Sequence, residues 1–247
     1  MQRIHSGAAM AAGALASLYI GGGTAWAGPS ALETALQPEV QAFLQADRQS
    51  PPAHCQVLFV GSSTIRYWAP TLAQDMAPLP VIDRGFGGSH VASVNHWFRE
   101  LVSSHYPRSI VFYAGENDLD AGTSPATVVA NFDRFMKLKV QKLGVTPVYF
   151  ISLKPSPARW AQRAQQSQVN AAIAERAAHR ADLHYVDVVP AMLEGGKPKD
   201  IYREDRLHMT EAGYRIWTGI VKPQLEANAA AEQASCARLL RDEGLAP

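Results

Sequence analysis

Five short apolar runs recur along the chain, and stretches with helical periodicity lie between them. The runs are shorter than an ordinary helix and are rich in β-branched and aromatic residues, which is typical of buried strands. Strands that alternate with helices favour a parallel sheet, because each parallel connection must cross back over a face of the sheet. The sequence therefore predicts an α/β fold with a doubly wound sheet. The predicted strands cover residues 57–60, 81–82, 109–114, 148–153 and 183–187.

Apolar residues at helical spacing predict the helices that connect these strands. A leading helix is expected to end at Pro51-Pro52, and a helix or irregular turn is expected over residues 64–76. Further helices are predicted over 91–104, 125–143 and 160–181, and a last helix is capped by Thr210 and followed by a polar tail. We find no repeat, low-complexity linker or domain boundary, so residues 28–247 are predicted to form a single domain.

The first 27 residues have the pattern of a secretory signal peptide. Arg3 supplies a positive charge, residues 7–23 are apolar and rich in Ala and Gly, and Ala25-Trp26-Ala27 has the form of a cleavage site. A membrane anchor fits less well, because the apolar run is broken by glycines and has no second basic flank. We expect cleavage after Ala27, export to a periplasm or to the medium, and no stable membrane insertion.

Composition argues against some partners and does not decide whether the two cysteines are bonded to each other. The 23 basic and 22 acidic residues give a net charge of +1, and no basic run suggests a nucleic acid partner. No Cys/His cluster has the spacing of zinc ligands, so neither a metal nor another cofactor is expected. Cys55 and Cys236 could form a disulfide in an exported protein or remain two buried free thiols. The sequence does not indicate the oligomeric state.

Polar residues and glycines follow the first three predicted strands. Ser63 follows the first strand, Gly88 lies in a glycine-rich loop after the second, and Asn117 follows the third. Each alone has an ordinary structural explanation, as a helix cap or a turn residue. However, the carboxyl ends of parallel strands meet at one edge of a sheet, where open α/β sheets bind ligands. Their common placement predicts a functional site at that edge.

Asp205 and His208 complete a candidate catalytic group. A carboxylate three residues before an imidazole can accept the Nδ1 proton and leave Nε2 free as a general base, although many such pairs lie on solvated loops without a function. With Ser63 as nucleophile the chain order is Ser, Asp, His. The α/β-hydrolase pattern Gly-x-Ser-x-Gly is absent because Ile65 occupies its last position. Ser62 is the alternative nucleophile.

The same residues supply an oxyanion hole for acyl transfer. The backbone N–H groups of Ser63 and Gly88 and the side-chain amide of Asn117 would donate hydrogen bonds to the tetrahedral oxygen. Other side chains could line the substrate site, although most also have a structural explanation: core packing for the first two aromatics, a surface position for the histidine and solvation for the charged residues. They are Tyr67, Trp68, His90, Lys154 and Trp160, with Arg159 nearby. Arg84 and Asp118 are expected to pair and brace two of the loops.

These blocks resemble the SGNH hydrolases, also called GDSL-type lipases and esterases, over essentially the whole chain after the signal peptide. The matching blocks are Gly61-Ser62-Ser63, residues 83–89 with Gly88, Gly115-Glu116-Asn117-Asp118 and Asp205-Arg206-Leu207-His208. Ser62 and Thr64 stand where the family has Asp and Leu, but neither position carries a catalytic group. The resemblance implies a flavodoxin-like three-layer α/β/α fold with a five-stranded parallel sheet in the order 2-1-3-4-5.

The resemblance is strongest to the platelet-activating-factor acetylhydrolase-like branch, which implies a serine esterase that acts on short-acyl esters of small molecules or polymers. The family also contains carbohydrate O-deacetylases, lysophospholipases and thioesterases, which the sequence does not separate. Two readings outside this class are an inactive carbohydrate-binding relative and a phosphoryl-binding protein. The filled catalytic positions argue against the first, and the lack of a phosphate-loop lysine argues against the second.

Overall fold

The structure is a computed structural model that describes residues 30–245. The predicted signal peptide, residues 1–27, lies outside the described residues. Within them the chain forms one five-stranded parallel sheet and a small two-stranded antiparallel ribbon.

The strand order of the main sheet is β2-β1-β3-β4-β5, which confirms the predicted fold class. β2 is longer than its two apolar residues suggest, because Asp83 and Arg84 continue the ladder opposite Phe59 and Val60. This strand lies at the edge of the sheet, where polar side chains are tolerated. The strands are β1 Val57–Gly61, β2 Val81–Gly85, β3 Ser109–Tyr113, β4 Val148–Ile151 and β5 Leu183–Val186.

Nine α-helices occur within residues 30–245. The helix predicted over 125–143 is confirmed at both ends, because Ser124 caps its first turn and Gly144 ends it. The helices are α1 Ala31–Gln49, α2 Ser63–Arg66, α3 Ala69–Met76, α4 Val91–His96, α5 Phe98–Leu101, α6 Glu116–Asp120, α7 Pro125–Leu143, α8 Arg163–Ala178 and α9 Glu211–Asp242. Short 3₁₀ helices include Ser103–His105 and Pro157–Gln162.

Three helix predictions need correction. The helix predicted over 91–104 is broken at Trp97 into α4 and α5 and ends as a 3₁₀ helix. The helix predicted from residue 160 starts as the 3₁₀ helix Pro157–Gln162 and becomes α-helical only at Arg163. The tail expected to be polar is helical, since α9 extends to Asp242 and buries Cys236 and Leu240 on its inner side.

Helices cover both faces of the sheet. Neighbouring residues of a strand point to opposite faces, and on β3 the Phe112 ring packs against Phe132 and Phe135 of α7. The next residue, Tyr113, packs against Trp217 of α9. The sheet is therefore buried on both faces, as the near-continuous apolar runs of its inner strands predict.

Two side-chain pairings differ in outcome. Cys55, just before β1, and Cys236 of α9 form a disulfide, which settles the alternative that the sequence left open. The predicted pairing of Arg84 with Asp118 is wrong. Arg84 donates to Asp47 of α1 at 2.6 Å, whereas both Asp118 carboxylate oxygens accept the N–H group of Val91 at 3.2 Å.

The antiparallel ribbon, which the sequence analysis did not predict, pairs β6 Leu193–Glu194 with β7 Lys197–Pro198. It lies between β5 and the turn that carries Asp205 and His208. Among the helices of residues 30–245, none combines the length and apolar character needed to cross a bilayer.

Candidate active site

Two glycines allow the turn that carries Ser63. β1 ends at Gly61, whose φ is +148°, and a Cβ there would lie only 1.9 Å from the carbonyl oxygen of Tyr113. A Cβ on Gly85 would lie 2.2 Å from the backbone nitrogen of Arg66, so α2 packs directly on the end of β2. The chain therefore turns sharply, and Ser63 becomes the first residue of α2 at the carboxyl edge of the sheet.

Ser63, His208 and Asp205 form a continuous hydrogen-bonded chain. The Ser63 Oγ lies 2.8 Å from the Nε2 of His208, and the Nδ1 of His208 lies 2.6 Å from the Oδ2 of Asp205. This is the arrangement in which Nδ1–H donates to the carboxylate and Nε2 accepts the serine proton. The structure thus brings together the three residues that the sequence singled out, from positions 145 residues apart.

Asp205 is held in the ionised form. Partial burial acts to raise its pKa, but hydrogen bonds from the His208 ring and from the backbone N–H groups of Leu207 and His208 outweigh this and lower the pKa to about 2. The turn is closed by Arg203, whose N–H donates to the carbonyl oxygen of His208 at 2.8 Å. A negative charge therefore faces Nδ1 at neutral pH and can stabilise an imidazolium ion.

Tyr67 is the aromatic residue that reaches the site. Its ring centroid lies 4.4 Å from that of His208, and the guanidinium carbon of Arg203 lies 4.5 Å from the Tyr67 ring centroid. Trp68, which the sequence analysis grouped with Tyr67, is fully buried instead. It stacks on Tyr214 and donates from Nε1 to Asp75 at 2.7 Å, so it belongs to the core and does not line a substrate site.

The predicted oxyanion donors gather around the same edge. The Nδ2 of Asn117 donates to the carbonyl oxygen of Ser89 at 3.0 Å, which ties the loop after β3 to the loop after β2 and uses one of the two amide hydrogens. Gly88 is exposed and has a φ of +71°. Among residues 30–245, neither the Ser63 N–H nor the Gly88 N–H donates to a protein acceptor. These groups remain available to an external oxygen.

A buried ion pair lies beneath the site. The Nζ of Lys154 is 2.6 Å from the Oε2 of Glu116 and 3.2 Å from the Oγ1 of Thr64, with the Tyr113 hydroxyl 3.4 Å away. Burial lowers the pKa of Lys154, whereas Glu116 acts to raise it. Thr64 adjoins Ser63 and Glu116 adjoins Asn117, so the ion pair ties the two turns together.

The sequence analysis placed Lys154 either in solvent or against substrate, and both expectations are wrong because the side chain is fully buried. Glu116 was not singled out. The available signal was a charged residue, Lys154, directly after the apolar run of β4, together with an acid inside the Gly115–Asp118 block. Two opposite charges following two neighbouring strands can meet at the sheet edge.

The remaining candidates differ in their exposure and contacts. Arg159, expected to be solvated, keeps only 11% of its side chain exposed and bonds the Asp120 carboxylate at 3.2 Å. His90 is half-buried at the start of α4. Trp160 is 38% exposed and lines a cavity of about 350 Å³. The structure contains no group of three His, Cys, Asp or Glu side chains able to hold a metal, within residues 30–245.

Comparisons with known proteins identify the family. The profile of the GDSL-like lipase/acylhydrolase family matches residues 49–216, a span that contains every candidate catalytic residue. No curated protein matches the chain.

Solved structures share the fold at low sequence identity. A Streptococcus pneumonia protein named for platelet activating factor is 20% identical, with a TM-score of 0.67 over 78% of this chain and 96% of that protein. A GDSL-like lipase from Bacteroides thetaiotaomicron is 22% identical, with a TM-score of 0.65 over 76% and 97%. A family 3 carbohydrate esterase from Talaromyces cellulolyticus is 16% identical, with a TM-score of 0.59 over 72% and 99%.

Proposed function

The chain belongs to the GDSL-like lipase/acylhydrolase family of carboxylic ester hydrolases, and from that premise we propose that it hydrolyses short-acyl esters with Ser63 as nucleophile. The observation that carries the assignment is the hydrogen-bonded chain from Ser63 Oγ through His208 to Asp205.

In the proposed reaction, Ser63 Oγ attacks the ester carbonyl carbon while Nε2 of His208 takes the hydroxyl proton. Asp205 holds Nδ1–H and stabilises the imidazolium that forms. The carbonyl oxygen becomes an oxyanion, which accepts hydrogen bonds from Ser63 N–H, Gly88 N–H and the free Asn117 amide hydrogen. The tetrahedral intermediate then expels the alcohol, which receives the proton from His208. Water then attacks the acyl-serine carbonyl by the same steps, with His208 as the base, and the carboxylic acid is released.

A short acyl group suits the surroundings of Ser63. Ile65 and Trp68, which follow Ser63 in the chain, are fully buried in the core, and Tyr67 is the aromatic side chain that lies beside His208. The neighbouring oxyanion glycine, Gly88, is exposed. A site with few apolar side chains favours small acyl groups, because each buried CH₂ of a longer chain would need apolar surface to contribute its ~0.8 kcal/mol.

Hydrolysis of p-nitrophenyl esters from acetate to long acyl chains tests the proposal. We expect the wild type to cleave the short esters, and Ser63→Ala to lower kcat by at least about 10,000-fold because the nucleophile is lost. Ser62→Ala is the matched control, since it removes the neighbouring serine and should keep its activity. Turnover by Ser63→Ala comparable to wild type, or loss of activity only in Ser62→Ala, would contradict the assignment.

We also propose that residues 1–27 direct export and are removed. The pattern of a charged start, an apolar stretch and Ala25-Trp26-Ala27 supports this, and a disulfide is compatible with an oxidising compartment. Expression of the full chain in a bacterium, followed by fractionation and N-terminal sequencing, should give a mature protein that begins at Gly28 outside the cytoplasm. An uncleaved protein in the cytoplasm would contradict the proposal.

A further inference from the structure

A groove adjoins the turn that carries the candidate catalytic acid and base. Its volume is about 350 Å³, and it lies between the 3₁₀ helix Pro157–Gln162, the ribbon strand β7 and the Asp205–His208 turn. Its lining consists of Pro157, Trp160, Lys197, Pro198 and Arg206.

The groove is attached to the active site through Arg206. This residue lies between Asp205 and His208, and its carbonyl oxygen accepts the N–H group of Ala158 at 3.0 Å. One wall of the groove and the catalytic base therefore belong to the same short turn. Arg206 and His208 are separated by one residue, so a ligand in this groove would lie beside the catalytic turn.

The lining combines a flat apolar surface with positive charge. Trp160 and the two prolines supply the apolar part, and Trp160 stays 38% exposed although it is the largest residue of the groove. Lys197 and Arg206 are both exposed, and among residues 30–245 no carboxylate lies within 4.0 Å of either cation. Arg159 differs, because it is already bonded to Asp120.

Arg206 also has a strained backbone. Its φ of +57° lies in the left-handed region, where glycine or asparagine would cost less. Strain of this kind is commonly found at functional sites. A long cationic side chain at this position, with no ion-pair partner in the described structure, is consistent with a ligand anion as its partner.

These features match one ligand chemistry. A pyranose ring presents a flat C–H face that stacks on indole, and a ring carboxylate would bond two unpaired cations. A lipid chain is a poorer match, since two of the five lining residues are charged and the groove is open. We propose that the groove binds a uronic-acid residue next to the acylated unit, so that the enzyme removes O-acyl groups from an acidic glycan. This inference rests on the proposed esterase function.

The test compares two substrates that differ only in charge. An O-acetylated oligogalacturonide is paired with the same oligosaccharide after reduction of its carboxyl groups to hydroxymethyl groups, and acetate release gives kcat/KM for each. We expect the wild type to favour the acidic substrate by about 10-fold or more at low salt, as one or two charge-assisted hydrogen bonds would give. The ratio should fall as salt is added, because the groove is open to solvent.

Variants assign the preference to the groove. Lys197→Gln/Arg206→Gln should bring the ratio close to one; any damage to the catalytic turn affects both substrates and cancels in the ratio. Trp160→Ala should raise KM for both oligosaccharides about 5- to 10-fold through loss of stacking. Arg134→Gln/Lys137→Gln, which removes two exposed cations of α7, should leave the ratio unchanged.

The outcomes separate the two proposals. Wild-type activity on p-nitrophenyl acetate with a ratio near one, or a ratio that survives in Lys197→Gln/Arg206→Gln, would overturn the groove assignment and leave the esterase function standing. Preference for a lysophospholipid that is lost in the same double variant would assign the groove to a phosphate headgroup and overturn the saccharide proposal. Inactivity on every ester, including p-nitrophenyl acetate, would overturn both proposals.

Discussion

At the scale of single residues, Asn117 offers a test of the oxyanion site. One amide hydrogen of Asn117 is donated to the Ser89 carbonyl oxygen, and the other is available to the substrate oxygen. Asn117→Ala should lower kcat by about 100- to 1000-fold with little change in KM, because the lost hydrogen bond strengthens in the transition state. Steady-state kinetics on p-nitrophenyl acetate measure this split. A rise in KM at constant kcat would instead place Asn117 in ground-state binding.

The Lys154–Glu116 pair is a second test at this scale, and we expect both to be positioning residues. Lys154→Met should lower the unfolding free energy by about 3–5 kcal/mol, because Glu116 is left buried without its partner. Lys154→Met/Glu116→Gln should recover part of this stability, since no buried charge remains. Both variants should keep a reduced kcat, because the turns of Ser63 and Asn117 are no longer tied together.

Chemical denaturation and kinetics on the two variants and on Glu116→Gln alone give the double-mutant cycle. A coupling energy near zero, or full recovery of kcat together with stability in the double variant, would show that the pair has no positioning role. An increase in KM with unchanged kcat would also contradict a positioning role.

At the scale of elements, the edge strand β2 contains a partly buried acid, Asp83, whose effect on stability depends on pH. Burial raises the pKa of Asp83 to about 6, although the Gly85 N–H and the neighbouring Arg84 act to lower it. The folded state therefore binds more protons than the unfolded state between pH 4 and 6, and the energetic cost of ionised Asp83 is complete above pH 6. Asp83 thus destabilises the fold at neutral and alkaline pH.

Asp83→Asn should consequently raise the melting temperature at pH 8 and change it little at pH 4. The amide oxygen can still accept the Gly85 N–H, so the gain reflects removal of a partly buried charge and should be about 1–3 kcal/mol. Thermal melts across this pH range measure it. A stabilisation that is equal at both pH values, or a loss of stability at pH 8, would contradict the raised pKa of Asp83.

At the scale of the whole molecule, the disulfide closes a loop that contains all five strands of the sheet. Cys55 and Cys236 are 181 residues apart, and a loop of this length corresponds to at most about 5 kcal/mol of stabilisation in the chain-entropy account. Cys55→Ser/Cys236→Ser should lower the melting temperature strongly. Activity at 25 °C should persist, because Cys55 precedes β1 at the edge of the sheet opposite to Ser63.

Thermal melts with and without a reductant provide the control for this prediction. The reductant should lower the melting temperature of the wild type and have no effect on the double variant. Equal melting temperatures for wild type and variant would show that the cross-link contributes no stability. Loss of activity in a variant that remains folded would contradict the separation of cross-link and active site.

The sequence by itself determined the fold class, because the alternation of apolar runs with helical periodicity is local and leaves few ways to bury every strand. It also indicated the residues at the sheet edge, since strand ends are visible as glycines and polar residues after apolar runs. The helix boundaries at Trp97 and Arg163 could not be predicted from the sequence, because the same apolar spacing is compatible with a continuous helix or with one interrupted by a 3₁₀ turn.

Only the tertiary structure decided which side chains meet. Lys154 looks accessible in sequence, yet it pairs with Glu116 beneath the site, and Trp68, for which the sequence allowed either a pocket wall or core packing, packs in the core. Arg84 lies near the end of β2 and Asp118 follows β3, but β1 separates these strands, and Asp47 and the Val91 N–H are nearer partners. Ser63 meets His208 because the fold closes 145 residues of chain onto one edge. Such contacts depend on packing between distant segments, a property that local sequence patterns do not encode.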